Sequence, residues 1–304
     1  MTLRFFTRAL AIAVLLLTVS AVFAQDSGGN DGHGGMMMSG LPGVGPDVTI
    51  RFAAMVGNSP AACGMIYEGV GAAGSPISLN DFRFYVSNVR LITAMGEEVP
   101  VELTQDGRWQ YADVALLDFE DGTGMCREAG TPDMNDKVVG TVPPGEYTGI
   151  AFDLGVPFEL NHLDTTTAPA PLNLPAMWWN WRIGYKFVRI DMQTPRSQTP
   201  AWFIHLGSTG CPSPDSSTPP TDVCSNPNLA TVRLDGFNPT RTFVIADAAA
   251  LLSGVNLDES VPMPPGCMSG TEDPDCAALF PAFGLDLESG MNNQAGVQQF
   301  FRVG

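Results

Sequence analysis

Histidine is the scarcest chemically versatile residue here: three in 304 residues, at positions 33, 162 and 205. That leaves little for nucleophilic catalysis. "GSTG" follows His205, but the chain has no G-x-S-x-G elbow and nothing singles out one serine. Basic side chains are also few, 15 Lys and Arg against 32 Asp and Glu, for a formal net charge of −17. Such a surface repels nucleic acid and anionic membranes. It suits a cationic ligand or a basic partner, although an acidic, solvated surface also keeps an exported protein soluble. Tight C-x-x-C spacing is absent, which argues against a thiolate-rich metal site. A blue-copper centre needs a free Cys beside two His, and a copper brace needs His at the mature N-terminus; neither requirement is met.

The one long apolar run lies at the start. "MTLRFFTRA" carries Arg4 and Arg8, "LAIAVLLLTV" is apolar but too short for a membrane span, and "VFA" precedes Gln25. Residues 1–24 therefore read as a signal peptide cleaved near Ala24, sending the chain to the periplasm or out of the cell. No Cys follows the cut to carry a lipid. Residues 25–46 form a Gly-rich arm without periodicity, expected to be disordered. Within it "GHGGMMMSG" sets His33 beside Met36, Met37 and Met38. These soft thioethers are able to capture Cu(I) transiently, or the arm is a plain tether.

From residue 47 to 254 short runs rich in β-branched and aromatic residues alternate with Gly, Pro, Asn and Asp. They include "VTIRFAAMV", "DFRFYVSNVRLI", "YTGIAFDLGV", "YKFVRIDM", "WFIHLG" and "ATVRLDGF". In "GIAFDLGV" Ile150, Phe152, Leu154 and Val156 alternate with small or polar residues, the pattern of a strand with one buried face. One short helix is expected over 247–254, with Asp247 as its cap and Gly254 as its stop. Residues 255–304 read as a loop-rich C-terminal segment. The fold class is all-β: an antiparallel β-sandwich or partly closed barrel with disulfide-stapled loops.

Six cysteines in an oxidising compartment favour disulfides. Cys211 and Cys224 bracket "PSPDSSTPPTDV", Cys267 and Cys276 bracket "MSGTEDPD", and Cys63 then pairs with Cys126. Each short closure stabilises by ~3 kcal/mol in the loop-entropy model.

What chemistry remains centres on His162, His205 and "MWWNWRIGYKFVRID" (177–191), which holds three of the five tryptophans. Two neutral imidazoles suit Cu(I). The plainer alternatives are hydrogen-bonded core histidines and tryptophans that pack the interior.

Several motifs in order, "DFRFYVSNVRLI", "LLDFEDGTGMC", "YTGIAFDLGVPFELNH", "APLNLPAMWWNWRIGYKFVRID" and "FIHLGSTGC", resemble the MbnP-like proteins, the four-Cys members of the metallo-mystery pair. The resemblance runs from about residue 48 to 246 and leaves out the arm and the segment after 255; the Cys267 and Cys276 pair is additional to the four-Cys pattern. It implies a secreted or periplasmic Cu(I)-binding protein of copper homeostasis or uptake, not an enzyme, whose partner is a MauG-type di-haem cytochrome c peroxidase. That partner oxidises the first Trp of W-x-W to kynurenine, here Trp179 of Trp179-Asn180-Trp181. The implied copper ligands are the kynurenine amine, His162 and His205. Trp181, expected on the same strand face as Trp179, would shield the metal or relay an oxidising equivalent, with Trp178 and Tyr185 nearby. Two other classes compete: a carbohydrate- or peptide-binding module whose tryptophans form a stacking platform, and a copper-dependent oxidoreductase.

Overall fold

Alternating burial along the strands builds two layers. In Asp47–Val56, Val48, Ile50, Phe52, Ala54 and Val56 are buried while the residues between them are not, the period-2 signature of a strand packed on one face. A computed structural model of the chain describes residues 45–196, 200–259, 264–293 and 297–304. The leader and residues 25–44 of the arm, with His33 and Met36 to Met38, lie outside the described residues.

Asp47–Val56 pairs with Lys137–Thr141 on one side and Val244–Asp247 on the other, and Phe301–Val303 extends that sheet beyond Val244–Asp247. The second sheet runs in the order Ala230–Asp235, Tyr147–Leu154, Ser75–Thr93, Val188–Gln193, Ala201–Leu206, Gly266–Cys267. Ser75–Thr93 is its axis: along one edge it pairs first with Val188–Gln193 and then with Tyr147–Leu154. The sheets meet through aromatic rings. Phe52 of the first lies edge-on to Phe84 (6.1 Å) and Phe152 (5.8 Å) of the second, and Phe300 and Phe301 fill in against Phe82, Phe84 and Phe152. The result is an all-β sandwich of two open sheets rather than a closed barrel.

Three expectations need adjustment. Pairing is mostly antiparallel, but Asp47–Val56 with Val244–Asp247 and Ala201–Leu206 with Gly266–Cys267 are parallel. These join distant segments through long connections, which local patterning does not record. The helix at 247–254 shortens to Ala248–Leu251; Asp247 caps it by accepting from the Ala249 and Ala250 amides. Finally, residue 255 is no boundary in the core: Leu279, Phe280, Phe283, Phe300 and Phe301 are buried with the sandwich. All three expected disulfides are formed: Cys63–Cys126, Cys211–Cys224 and Cys267–Cys276.

Candidate metal centre

The outer face of the second sheet carries the site. Register sets Arg83, Arg189 and His205 opposite one another across three strands, and Asp81, Asp191 and Phe203 opposite one another in the next row. Side chains two apart share a face, so the two rows form a ladder of alternating charge. Arg83 is held by Asp81, Arg189 Nε lies 3.1 Å from Asp81 Oδ2, and Arg189 grips Asp191 Oδ2 through Nε (2.9 Å) and Nη2 (2.6 Å). Loops cover the ladder and supply carbonyls: Ala129 accepts from Arg83 and Ala176 from both Arg189 and Lys186. The ladder ends at His205, whose Nε2 lies 2.7 Å from Asp191 Oδ1.

That bond decides the tautomer. Burial pushes the His205 pKa down despite Asp191, so the ring is neutral at pH 7. Burial works against ionisation of Asp191, but the His205 hydrogen bond and the charge and hydrogen bond of Arg189 prevail and hold its carboxyl at about 2. An ionised carboxylate only accepts, so Nε2 carries the proton and Nδ1 keeps its lone pair. Nδ1 is buried and has no hydrogen-bond partner among the described residues. A histidine oriented by a carboxylate, with its other nitrogen free, is the usual arrangement of a metal-binding imidazole.

Beside it lies Trp179, with ring centroids 6.1 Å apart. Trp179 belongs to the two-stranded hairpin Trp178–Asn180 and Gly184–Tyr185. Its ring packs so closely on Gly207 that a β-carbon there would collide with it. Lys186 Nζ sits 6.0 Å from the ring centroid; burial first, then Arg189, lowers its pKa to about 8.

His162 ends the short helix Phe158–Asn161, and its tautomer is the opposite one. Nδ1 lies 3.1 Å from the Trp181 carbonyl, which only accepts, so the lone pair is on Nε2. Burial lowers this pKa too, against the Trp181 carbonyl. Nε2 is 3.4 Å from Asn161 Nδ2 and 3.7 Å from Cys224 Sγ. Asn161 ties His162 to the hairpin, accepting from the Tyr185 amide (2.9 Å) and donating to Ser208 Oγ (3.1 Å). Thus His205 and Trp179 are in ring contact, while His162 reaches them only through the hairpin backbone; no hydrogen bond or ring contact joins it directly to either among the described residues.

Two sequence placements change. Trp181 does not share a strand face with Trp179. The Asn180 side chain accepts from the Arg182 and Ile183 amides (both 3.0 Å), an Asx-type turn that ends the strand at Asn180. Trp181 consequently meets Trp178 edge-to-face, with centroids 5.8 Å apart. The Tyr185 ring points into the core while its backbone borders Trp179 at Gly207. It is fully buried, edge-on to Tyr85 at 5.9 Å, and its hydroxyl donates to the Leu172 carbonyl. Asp191, Arg189 and Asn161 are the supporting residues that sequence reasoning missed.

No curated protein matches the chain. Among solved structures, MbnP from Methylosinus trichosporium superposes with a TM-score of 0.75 at 33% identity, covering 85% of this chain and 98% of that one. The MbnP family model matches residues 45–269. With that match spanning the sandwich, His162, Trp179 and His205, the chain belongs to the MbnP family.

Proposed function

We propose that this is a periplasmic or secreted protein that binds one Cu(I) as cargo for copper homeostasis or uptake, without catalytic turnover. The observation that carries the reading is the buried, unpartnered His205 Nδ1 beside the Trp179 ring. His162 Nε2 supplies the second imidazole lone pair. Indole is a poor third ligand because its nitrogen pair belongs to the aromatic ring. Oxidative cleavage of the C2–C3 bond adds two oxygen atoms, and hydrolysis then releases formate. The product, kynurenine, has one carbon fewer, one oxygen more and an aryl amine with an available pair. The oxidant class we assign is hydrogen peroxide, two molecules each supplying one oxygen atom and leaving as water, used through a MauG-type di-haem peroxidase; the Trp178–Trp181 pair next in the chain is its aromatic approach to Trp179.

The test is tandem mass spectrometry of the "WWNWR" peptide from copper-loaded protein, with Cu(I) competition titrations of protein made with and without the di-haem partner. The mass change should fall on Trp179, and tight binding should need the partner. Trp179→Phe should abolish both while the fold persists, since Phe keeps an apolar ring with comparable β propensity. Copper-loaded protein with an intact indole at Trp179 would overturn the ring-opening step. A stacking module would instead bind oligosaccharide and no copper.

A further inference from the structure

The Cys211–Cys224 bridge lies against the lone-pair nitrogen of His162. His162 Nε2, Cys211 Sγ and Cys224 Sγ all fall within 4.8 Å of one another, and little of any of these side chains is exposed. A second grouping, Cys267, Asp273 and Cys276, is equally compact. There, however, the Asp273 carboxylate is committed to the amides of Met268 and Asp275. His162 Nε2 has only the Asn161 amide at 3.4 Å and sulfur at 3.7 Å.

Three further features distinguish the first grouping. The loop ends are pinned independently of the disulfide: Thr209 and Asn226 exchange backbone hydrogen bonds (2.9 and 3.1 Å), Ser225 N donates to Gly210 O, and Asn226 Nδ2 donates to Glu288 O at 2.6 Å. The sulfurs therefore stay close together when the bond between them is broken. The intervening loop is polar and exposed, so it opens without disturbing the core. And a cavity of about 260 Å³, lined by Phe158, Ser208, Val223, Cys224 and Leu229, leads a small molecule to Cys224.

We propose that this bridge is a redox gate on a second metal site: reduced, Cys211 and Cys224 join His162 Nε2 as a three-ligand site for a soft, filled-shell cation, Zn(II) or Cu(I). A thiolate of a small thiol attacks Cys224 Sγ, forming a mixed disulfide and releasing Cys211 as thiolate. A second thiol displaces the first, leaving two protein thiols and one external disulfide. Two electrons and two protons have then passed to the protein, and the thiol protons leave when the metal binds. Two thiolates and one imidazole are a ligand set of tetrahedral zinc, with the fourth position left for water. His162 Nε2 has one lone pair and is also a ligand in the copper reading above, so a metal held here and Cu(I) held with His205 exclude one another; the inference does not depend on kynurenine formation, since neither Trp179 nor His205 takes part.

The experiment uses the full chain carrying Trp179→Phe and His205→Ala, which removes the copper site proposed above. A water-soluble phosphine reduces the bridge, taking up oxygen from water as it forms two thiols, and thiol mapping identifies which cysteines opened. Zn(II) binding is followed by competition with a chromophoric chelator, and the thiolate charge-transfer absorption is read with Cd(II). Expected are selective opening of Cys211–Cys224 in the folded chain and one Zn(II) bound only after reduction. His162→Ala should weaken that binding at least tenfold, and Cys224→Ser should abolish the charge-transfer band. His162→Gln, which keeps a polar side chain at the helix end, guards against loss of fold. Opening of this bridge only on global unfolding, or Zn(II) affinity unchanged by both His162 variants, would overturn the proposal.

Discussion

Asp191→Asn is the sharpest perturbation of the copper reading, because the structure dictates which way the new amide turns. Arg189 grips Asp191 Oδ2 with two donors at 2.9 and 2.6 Å, while Oδ1 receives His205 Nε2 at 2.7 Å. An asparagine has one acceptor oxygen and one donor nitrogen. The guanidinium can only donate, so the amide oxygen turns to Arg189 and the NH2 group faces His205. His205 Nε2 must then accept, its proton moves to Nδ1, and the lone pair meant for copper is gone. Restoring it requires breaking a charge-assisted hydrogen bond or stranding a buried donor. Loss of such an outer partner costs about 10–100-fold in metal affinity, or about 1.4–2.8 kcal/mol at 1.4 kcal/mol per tenfold. Cu(I) competition titration of partner-modified protein measures the loss, and the imidazole nitrogen shifts of the copper-free protein report the tautomer. Wild-type affinity in Asp191→Asn, with His205 still protonated on Nε2, would refute the reasoning.

Gly207→Ala should displace the Trp179 ring and press on the Tyr185 carbonyl 2.6 Å away, costing about 1–3 kcal/mol as other overpacked sites do; chemical denaturation and tryptophan fluorescence would register it. Burial raises the Asp118 carboxyl to about 8 against the pull of Arg83. A raised carboxyl contributes stability fully present below its unfolded value near 3.9 and lost as pH climbs through 8. Asp118→Asn should therefore flatten the fall in unfolding midpoint between pH 5 and 8; an unchanged slope would contradict this. His205 and His162 act with the opposite sign: their lowered values give stability present above about pH 6.5 and lost on acidification, so His205→Gln should blunt the acid limb of the same curve. Phe300→Ala should cost about 3–5 kcal/mol by thermal or denaturant unfolding, because the ring is fully buried against Phe82, Phe84 and Phe283.

Local chemistry was legible in the sequence wherever it acts over short distances. The alternation of Ile150, Phe152 and Leu154, the cap at Asp247, and the two cysteine pairs that bracket polar loops all lie within a few residues of what they control. The tail was illegible for the opposite reason. "QQFFRVG" contains a strand of only three residues, Phe301–Val303, whose place is set by pairing with Val244–Asp247 more than fifty residues earlier. Trp181 was misplaced because W-x-W on a strand predicts a shared face, whereas the Asn180 side chain bonds ahead to two amides and turns the chain.

The candidate site divides along the same line. Which residues carry nitrogen is a matter of composition and motif, and with three histidines the choice is short. Which nitrogen is free depends on register. In "FVRIDMQ" Asp191 is simply a polar residue on the outer face of a strand, indistinguishable from a solvated one. It becomes the partner of His205 because Val188–Gln193 pairs with Ala201–Leu206 so that Arg189 stands opposite His205 and Asp191 stands one row along. The same register sets Asp81 and Arg83 behind them; Asp81, Arg83 and Asp191 are buried, and Arg189 is largely covered. Burial makes an unpaired charge costly, so each ladder charge is tied to its neighbour: Arg189 takes Oδ2 of the last carboxylate, and the proton on His205 Nε2 satisfies Oδ1. A one-residue slip of either strand would turn these side chains to the opposite face and leave His205 without a carboxylate to fix its tautomer. The long-range pairing of the sheet, more than the W-x-W motif, thus makes His205 Nδ1 available as a ligand.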